Sequence, residues 1–293
     1  MTSVAAAGKK WTLRSRTLSL DTPLVMGVVN VTPDSFSDGG NFFSPDAAFA
    51  RAEEMAEEGA DIIDIGGEST RPQGAAPVDA AEERRRVIPV VERSCAALPV
   101  PISVDTVKST IAEAALGSGA EIVNDVSALR LDPRMGAVCA SAGAGVILMH
   151  SRGGVSDMAT YAHADYGPDV TGAVIAELQA AIARATDAGI AGEAIALDPG
   201  IGFAKRSEQS IALLAELPRL VALGFPVVVG VSRKRVIGEL SGASEPADRL
   251  EGTIAANVLA LAAGARVFRV HDVRAARRSL DVAWAVLRRG GAS

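Results

Sequence analysis

Eight short apolar stretches of this chain end in side chains able to do chemistry. In order they are Asn30; Asp64, ahead of "GGESTR"; Asp105; Asn124 with Asp125; His150; Asp198; Ser232, Arg233 and Lys234; and Arg269 with His271. One charge at a strand end is ordinarily just solvated. A set of them converging on one face is costly unless the groups pair or bind a ligand. The set divides by chemistry. Asp105, Asn124 and Asp198 offer two carboxylates and an amide, suited to the edge of a flat heterocycle with several N–H donors and a carbonyl. Lys234 can donate to a ring nitrogen or oxygen and can approach a second substrate. Arg269, His271 and Asn30 suit a phosphate or pyrophosphate, which Arg binds in bidentate fashion. The Asn30 amide oxygen also suits Mg²⁺, a hard cation that prefers oxygen ligands and substrate phosphates.

The elements that must position these groups alternate along the chain. The strand candidates are "LVMGVVN", "DIIDIGG", "PISVDT", "EIVNDV", "GVILMHS", "AIALDPG", "PVVVGVS" and "RVFRVHD". Helical patterns lie between them. "SPDAAFARAEEMAEEGA" has Ser44 as a cap, Pro45 in its first turn and Gly59 as its stop. "VDAAEERRRVIPVVERSCAAL", "VKSTIAEAALGSGA", "VTGAVIAELQAAIARATDAGI" and "TIAANVLALAAGA" read likewise. Strand–helix alternation implies parallel pairing with right-handed crossovers, and eight such units fit a closed (β/α)₈ barrel. An open doubly wound sheet would need a Gly-rich fingerprint, and no GxGxxG follows the first strand. The opening "WTLRSRTLSLD" reads as a short β-hairpin. The expected organisation is a lead-in over residues 1–22, packed on a single barrel domain over 23–293. In a barrel, chemistry belongs to the loops after the strands' C-terminal ends. "NVTPDSFSDGG" (Asn30 to Gly40) takes that place after the first strand and reads as a small, polar, hinged lid.

Bulk properties narrow the partners. The net charge of −6 argues against a nucleic-acid coat or a polybasic membrane anchor, yet leaves room for a locally positive site. The only cysteines, Cys95 and Cys139, form no CxxC pair and have no His at metal spacing, which fits a reducing cytosol. "VAAAG" near the start is too short for a signal or a membrane helix, and "VLALAAGARVFRV" is interrupted by Gly264, Arg266 and Arg269. The expectation is a soluble cytoplasmic protein whose partners are small molecules, not nucleic acid or membrane.

Taken in order, "MGVVNVTPDSFSDGG", "DIIDIGGESTRP", "SVDT", "VNDV", "LMH", "LDPGIGFAK", "GVSRK" and "RVHDV" resemble the motifs of dihydropteroate synthases, from Pro23 to about Trp284. The resemblance implies a (β/α)₈ barrel enzyme of folate biosynthesis and a target of sulfonamides. Such an enzyme condenses p-aminobenzoate with 6-hydroxymethyl-7,8-dihydropterin pyrophosphate, releasing pyrophosphate. It implies pterin contacts from Asp105, Asn124, Met149, Asp198 and Lys234, and pyrophosphate contacts from Asn30, Arg269 and His271. Mg²⁺ falls on Asn30. Thr70, Arg71, Pro72, Phe203 and Lys234 would surround p-aminobenzoate, with Arg235 near its carboxylate where many members carry Ser. Asp34 belongs to a mobile loop and pairs with Arg71 as the site closes. The implied catalytic set is Asp105, Asp198, Lys234, Asp34 and Arg71. The resemblance also implies a homodimer through the last helices. One departure stands out: "STRPQGA" replaces the common "STRPGA", so Gln73 reads as an insertion at the rim of the p-aminobenzoate pocket, and altered sulfonamide sensitivity is the expectation it raises.

The parts account for a leaving-group-first reaction. Pyrophosphate departs from a methylene beside an electron-rich ring, and a neutral amine attacks, so no Ser/His/Asp triad is needed. Other residues have plainer readings. Asp64 either caps nearby backbone N–H groups or binds ligand. His150 reads as structural, His163 as solvent-facing, and "EERRR" (82–86) as a solvated helix face. Gly66 and Gly67 either allow a turn or let backbone approach a ligand. Two rival functions stand beside the synthase. A methyltetrahydrofolate:corrinoid methyltransferase on the same barrel would have less need of Arg269 and His271. A silent pterin-binding paralogue would most readily lose Lys234, Arg71 or Asp34.

Overall fold

The computed structural model describes residues 10–32, 45–68 and 78–290. Asp34, Thr70, Arg71, Pro72 and Gln73, and with them the expected lid, lie outside the described residues. The chain opens with an antiparallel hairpin of β1 (Lys10–Thr12) and β2 (Thr17–Ser19). Strands and helices then alternate: β3 (Leu24–Asn30), α1 (Pro45–Glu57), β4 (Ile62–Gly66), α2 (Ala80–Ala97), β5 (Ile102–Asp105), α3 (Ser109–Gly117), β6 (Ile122–Asp125), α4 (Met135–Ala142), β7 (Gly145–Met149) and α5 (Val170–Asp187). They continue with β8 (Ile195–Asp198), α6 (Ser207–Ala215), α7 (Leu217–Val221), β9 (Val228–Val229), α8 (Arg235–Ser241), α9 (Leu250–Ala262), β10 (Val267–Val270) and α10 (Val273–Gly290).

Each strand from β3 to β8 pairs in parallel with the next, β10 joins β3, and β9 joins β10. The ring closes between β8 and β9, where Leu197 bridges Val227 and donates its N–H to the Pro226 carbonyl at 2.8 Å. This is the expected (β/α)₈ barrel with an N-terminal hairpin. The stretch "PVVVGVS" contributes only two residues to the ladder. From Gly230 onward it leaves the sheet and turns through Arg233, whose φ of 58° is left-handed.

The period of two along each strand separates two environments. In β4, Ile63 and Ile65 face the helices, whereas Ile62 and Asp64 face the barrel axis. The same step recurs as Ile122 then Asn124, Ala196 then Asp198, and Val267 then Arg269. The lower interior is therefore apolar and the layer at the strands' C-terminal ends is polar. The hairpin closes the lower end. Trp11 is fully buried against Met26, Ile62, Ile147 and their neighbours, and its indole N–H donates to the Ala194 carbonyl at 2.9 Å. No helix among the described residues is long and apolar enough to cross a membrane.

Candidate active site

The polar layer opens into a cavity of about 580 Å³ at the C-terminal end of the barrel. Asn30, Asp105, Phe203, Lys234, Arg269 and His271 line it, and Arg235 stands at its edge. Asn124 and Asp198 are buried just below, 3% and 5% exposed. Met149 is buried in an apolar cluster with Val107, Val126 and Met158, against which Phe203 packs. The structure thus brings together every predicted site residue that it describes.

Arg269 is the hub. Its Nε donates to Asp64 Oδ2 at 2.7 Å and its Nη2 to Asp105 Oδ2 at 2.7 Å. Asp64 Oδ2 also accepts from Asn124 Nδ2 at 3.1 Å, while Asp64 Oδ1 is buried with no hydrogen-bond partner. Two expectations change here. Asp64 does not cap backbone; it is fully buried and anchors the guanidinium. Asp105 and Arg269, assigned by chemistry to a heterocycle edge and to a phosphate, are ion-paired to each other. Burial opposes the charge on Arg269, but Asp64 and Asp105 outweigh it and raise its pKa. Burial also lifts the Asp105 carboxyl to about 7, against the pull of Arg269 and with the Asp64 charge adding to the rise.

Lys234 and Asp198 form a second charged pair of influences. Burial lowers Lys234 to about 8, with Asp198 opposing, and burial raises Asp198, with Lys234 opposing. The Lys234 ammonium donates to the Ile201 carbonyl at 2.5 Å and lies 4.4 Å from the centre of the Phe203 ring. The turn that aims it depends on Arg233, an L-residue in the left-handed region, a conformation that needs outside support. The Arg233 N–H donates to Thr253 Oγ1 at 3.2 Å, and its Nε to Asp272 Oδ2 at 2.9 Å. His271 is set by Ser232, whose Oγ lies 3.0 Å from Nδ1. Arg235 is half-exposed, 4.2 Å over the Tyr161 ring and 3.6 Å from Glu239.

Several contributors escaped the sequence reading. In "EERRR", Arg85 is exposed as expected, but Glu83 is fully buried. It accepts from Thr106 Oγ1 at 2.6 Å and Lys108 Nζ at 2.5 Å. Lys108 also pairs with Glu68 at 2.8 Å, and Glu68 lines the cavity. Glu83 sits on the inner stripe of α2, beside Val87, so helical spacing was the available signal. Gly67 has the same cause: a Cβ there would lie 2.6 Å from Val87 Cγ2, so it admits α2 rather than a ligand. His163, read as solvent-facing, is part-exposed but paired with Asp157 at 2.7 Å. Lys205 is the largest omission. It is 1% exposed, and only its place at the end of "LDPGIGFAK" hinted at a role. Among the described residues no group of three or more His, Cys, Asp or Glu could hold a metal, and Asn30 lines the cavity.

Residues 26–271 match the family model of the pterin binding enzymes. The chain belongs to this family. It is 46% identical over 264 residues to the dihydropteroate synthase of Synechocystis sp., covering 90% of each chain. It is 47% identical to the Xanthomonas albilineans dihydropteroate synthase solved with 4-aminobenzoic acid, with a TM-score of 0.88 and coverage of 95% of this chain and 98% of that one. The same enzyme solved with 7,8-dihydropteroate matches at 45% identity and a TM-score of 0.84, covering 94% and 98%.

One pH dependence follows from the buried His150, which reads as structural. Burial, with Lys205 next in effect, lowers its pKa to about 4 from 6.5. A depressed pKa means the fold favours neutral imidazole. That stabilisation is present above about pH 6.5 and is lost as pH falls toward about 4. Thermal midpoints should therefore fall across this window, and His150→Gln should flatten the slope. Identical slopes for parent and variant would contradict the assignment.

Proposed function

We propose that the chain is a transferase of the dihydropteroate synthase class, joining p-aminobenzoate to 6-hydroxymethyl-7,8-dihydropterin pyrophosphate. The products are 7,8-dihydropteroate and pyrophosphate. The observation that carries this reading is the inner polar layer. Asp105, Asn124 and Asp198 meet Lys234 and Arg269 around one cavity, in a chain 47% identical to an enzyme solved with 4-aminobenzoic acid.

Asp105, Asn124 and Asp198 receive the N–H edge of the pterin, Lys234 donates to its ring, and Met149 supports the ring from the apolar side. Arg269, His271 and Asn30 take the pyrophosphate. The carbon–oxygen bond to pyrophosphate breaks first, and the electron pair leaves with the phosphate. The p-aminobenzoate nitrogen then forms its bond to the methylene carbon and gives up a proton to solvent. Asp105 and Asp198 stabilise the positive charge that spreads into the ring, and Arg269 and His271 stabilise the departing anion. The Asn30 amide oxygen would hold Mg²⁺, a hard cation that prefers oxygen donors, and the ion when bound would supply positive charge toward the leaving pyrophosphate. Phe203 and Lys234 wall the p-aminobenzoate site, with Arg235 at its rim. Thr70, Arg71 and Pro72 are assigned to the same wall, and Asp34 and Arg71 to its closure, by resemblance.

The paired outer helices support a homodimer. Leu259 of α9 is 70% exposed, and Val282 and Val286 of α10 are each 67% exposed, an apolar face that a second copy would cover. Sedimentation equilibrium should find a dimer, and Val286→Glu should yield monomer; a monomeric parent at micromolar concentration would contradict this.

Mixing the two substrates with enzyme and Mg²⁺ should release one pyrophosphate per dihydropteroate formed, with little release when p-aminobenzoate is omitted. In the same assay Asp198→Asn should weaken pterin binding by about 2–5 kcal/mol, because the amide presents donors to the ring's donors. Folded parent enzyme that releases no pyrophosphate would overturn the reading.

A further inference from the structure

Behind the cavity runs a line of buried polar groups that the reaction as described does not use. Lys205 Nζ has three polar partners around it: His150 Nδ1 at 2.8 Å, the Gly200 carbonyl at 3.0 Å and the Phe203 carbonyl at 3.0 Å. Glu177 Oε2, a carboxylate oxygen that can only accept, lies 3.1 Å from His150 Nε2, so the single proton of a neutral imidazole sits on Nε2 and leaves Nδ1 as an acceptor. Nδ1 and the two carbonyls then ask three protons of Lys205, one more than a neutral amine has, which calls for the ammonium form. Glu177 is part-exposed, and Arg152 Nε donates to its Oε1 at 3.0 Å. Arg152 also lies 3.8 Å over the Tyr166 ring, whose other neighbours include His150. The sequence of groups is Lys205 cation, neutral His150, Glu177 anion and Arg152 cation. It connects a fully buried charge to solvent. Burial, with Lys234 next, draws the Lys205 pKa down, so the counter-charge of Glu177 and the acceptors oppose a real penalty.

The segment that Lys205 holds is the one that matters to the second substrate. Asp198 Oδ1 accepts the Gly200 N–H at 2.7 Å, the Ile201 carbonyl holds Lys234, and Phe203 forms the wall. Gly200 has φ +65°, and a Cβ there would fall 1.9 Å from the His150 carbonyl oxygen. The turn is thus pressed flat on the end of β7, and Lys205 ties both of its ends to His150. We propose that Lys205 is a positioning residue, whose ammonium, balanced through His150 by Glu177, holds the Gly200–Phe203 turn in the shape that walls the p-aminobenzoate site. Of the pterin-facing groups, Asp105 and Asn124 lie on β5 and β6, outside this turn, and Asp198 and Lys234 touch it only through the Gly200 N–H and the Ile201 carbonyl, whereas the Phe203 wall is part of the turn itself. Loss of the brace therefore falls on p-aminobenzoate more than on the pterin. This inference rests on the synthase reading above.

The test is steady-state kinetics with both substrates on folded Lys205→Met, Glu177→Gln, His150→Leu and His150→Gln. Lys205→Met should raise the p-aminobenzoate KM by roughly tenfold or more and the pterin pyrophosphate KM by several-fold less than that, the scale expected when a substrate wall shifts by a fraction of an ångström while Asp198 and Lys234 keep their places at its margin. Glu177→Gln, a change at a part-exposed side chain, should act in the same direction by roughly threefold. His150→Gln, whose amide can accept from Lys205 and donate to Glu177, should stay closer to the parent than His150→Leu. If Lys205→Met does not fold, the Glu177 and His150 variants decide. An inactive parent would defeat the synthase reading. An active parent whose variants leave the p-aminobenzoate KM unchanged, or shift both KM values equally, would defeat this one.

Discussion

The site depends on a guanidinium being held inside a barrel. Arg269 arrives on β10, the last strand, and can be charged there only because β4 and β5 bring Asp64 and Asp105 to the same layer. A buried charge left without a partner costs several kcal/mol, and removing one partner of such a pair is more damaging than never having had it. The two pairs join residues 205 and 164 positions apart in sequence. They form only when β10 closes onto β3 and completes the ring. Fold closure and site assembly are therefore the same event, and the orphaned Asp64 Oδ1 marks where the balance is tightest.

The rest of the polar layer is arranged around this anchor. Asn124 donates to Asp64, Asp198 and Lys234 shift one another in opposite directions, and Arg233 accepts a left-handed backbone so that Lys234 can face the cavity. A layer of this kind is preorganised: its dipoles and charges are set by the strands before any ligand arrives, so little reorganisation remains for the reaction. Loops supply what strands cannot, and the bracing of the Gly200–Phe203 turn is the clearest described case.

Much of this was legible in the sequence because strand geometry is simple. A period of two with an apolar residue followed by a polar one, as in Ile122 and Asn124 or Val267 and Arg269, already says that both lie on the barrel axis and at different heights. What escaped depends on closure or on the far side of helices. Asp64 could read as a backbone cap or as a ligand contact, and not as an anchor, because its partner lies on a strand 205 residues away. Glu83 looked solvated because "EERRR" is dense in charge, although its place beside Val87 on α2 turns it inward to Thr106 and Lys108. Lys205 left almost no signal, since a lysine is ordinarily exposed and only tertiary structure supplies its three acceptors. The short β9 shows the reverse case. Its sequence promised a full strand, but the chain left the ladder early to make the Arg233 turn.

A double-mutant cycle on Asp64 and Arg269 addresses the anchor itself. Asp64→Asn, Arg269→Gln and the double variant would be unfolded in urea at neutral pH, and the coupling taken from the four free energies. A structure that hangs on this pair should show a coupling of about 1.5–3 kcal/mol, the upper range for directly bonded neighbours. The double variant should also be more stable than the sum of the single losses predicts. Additive losses, with a coupling below about 0.5 kcal/mol, would mean that the two residues act independently and that something else holds the polar layer together.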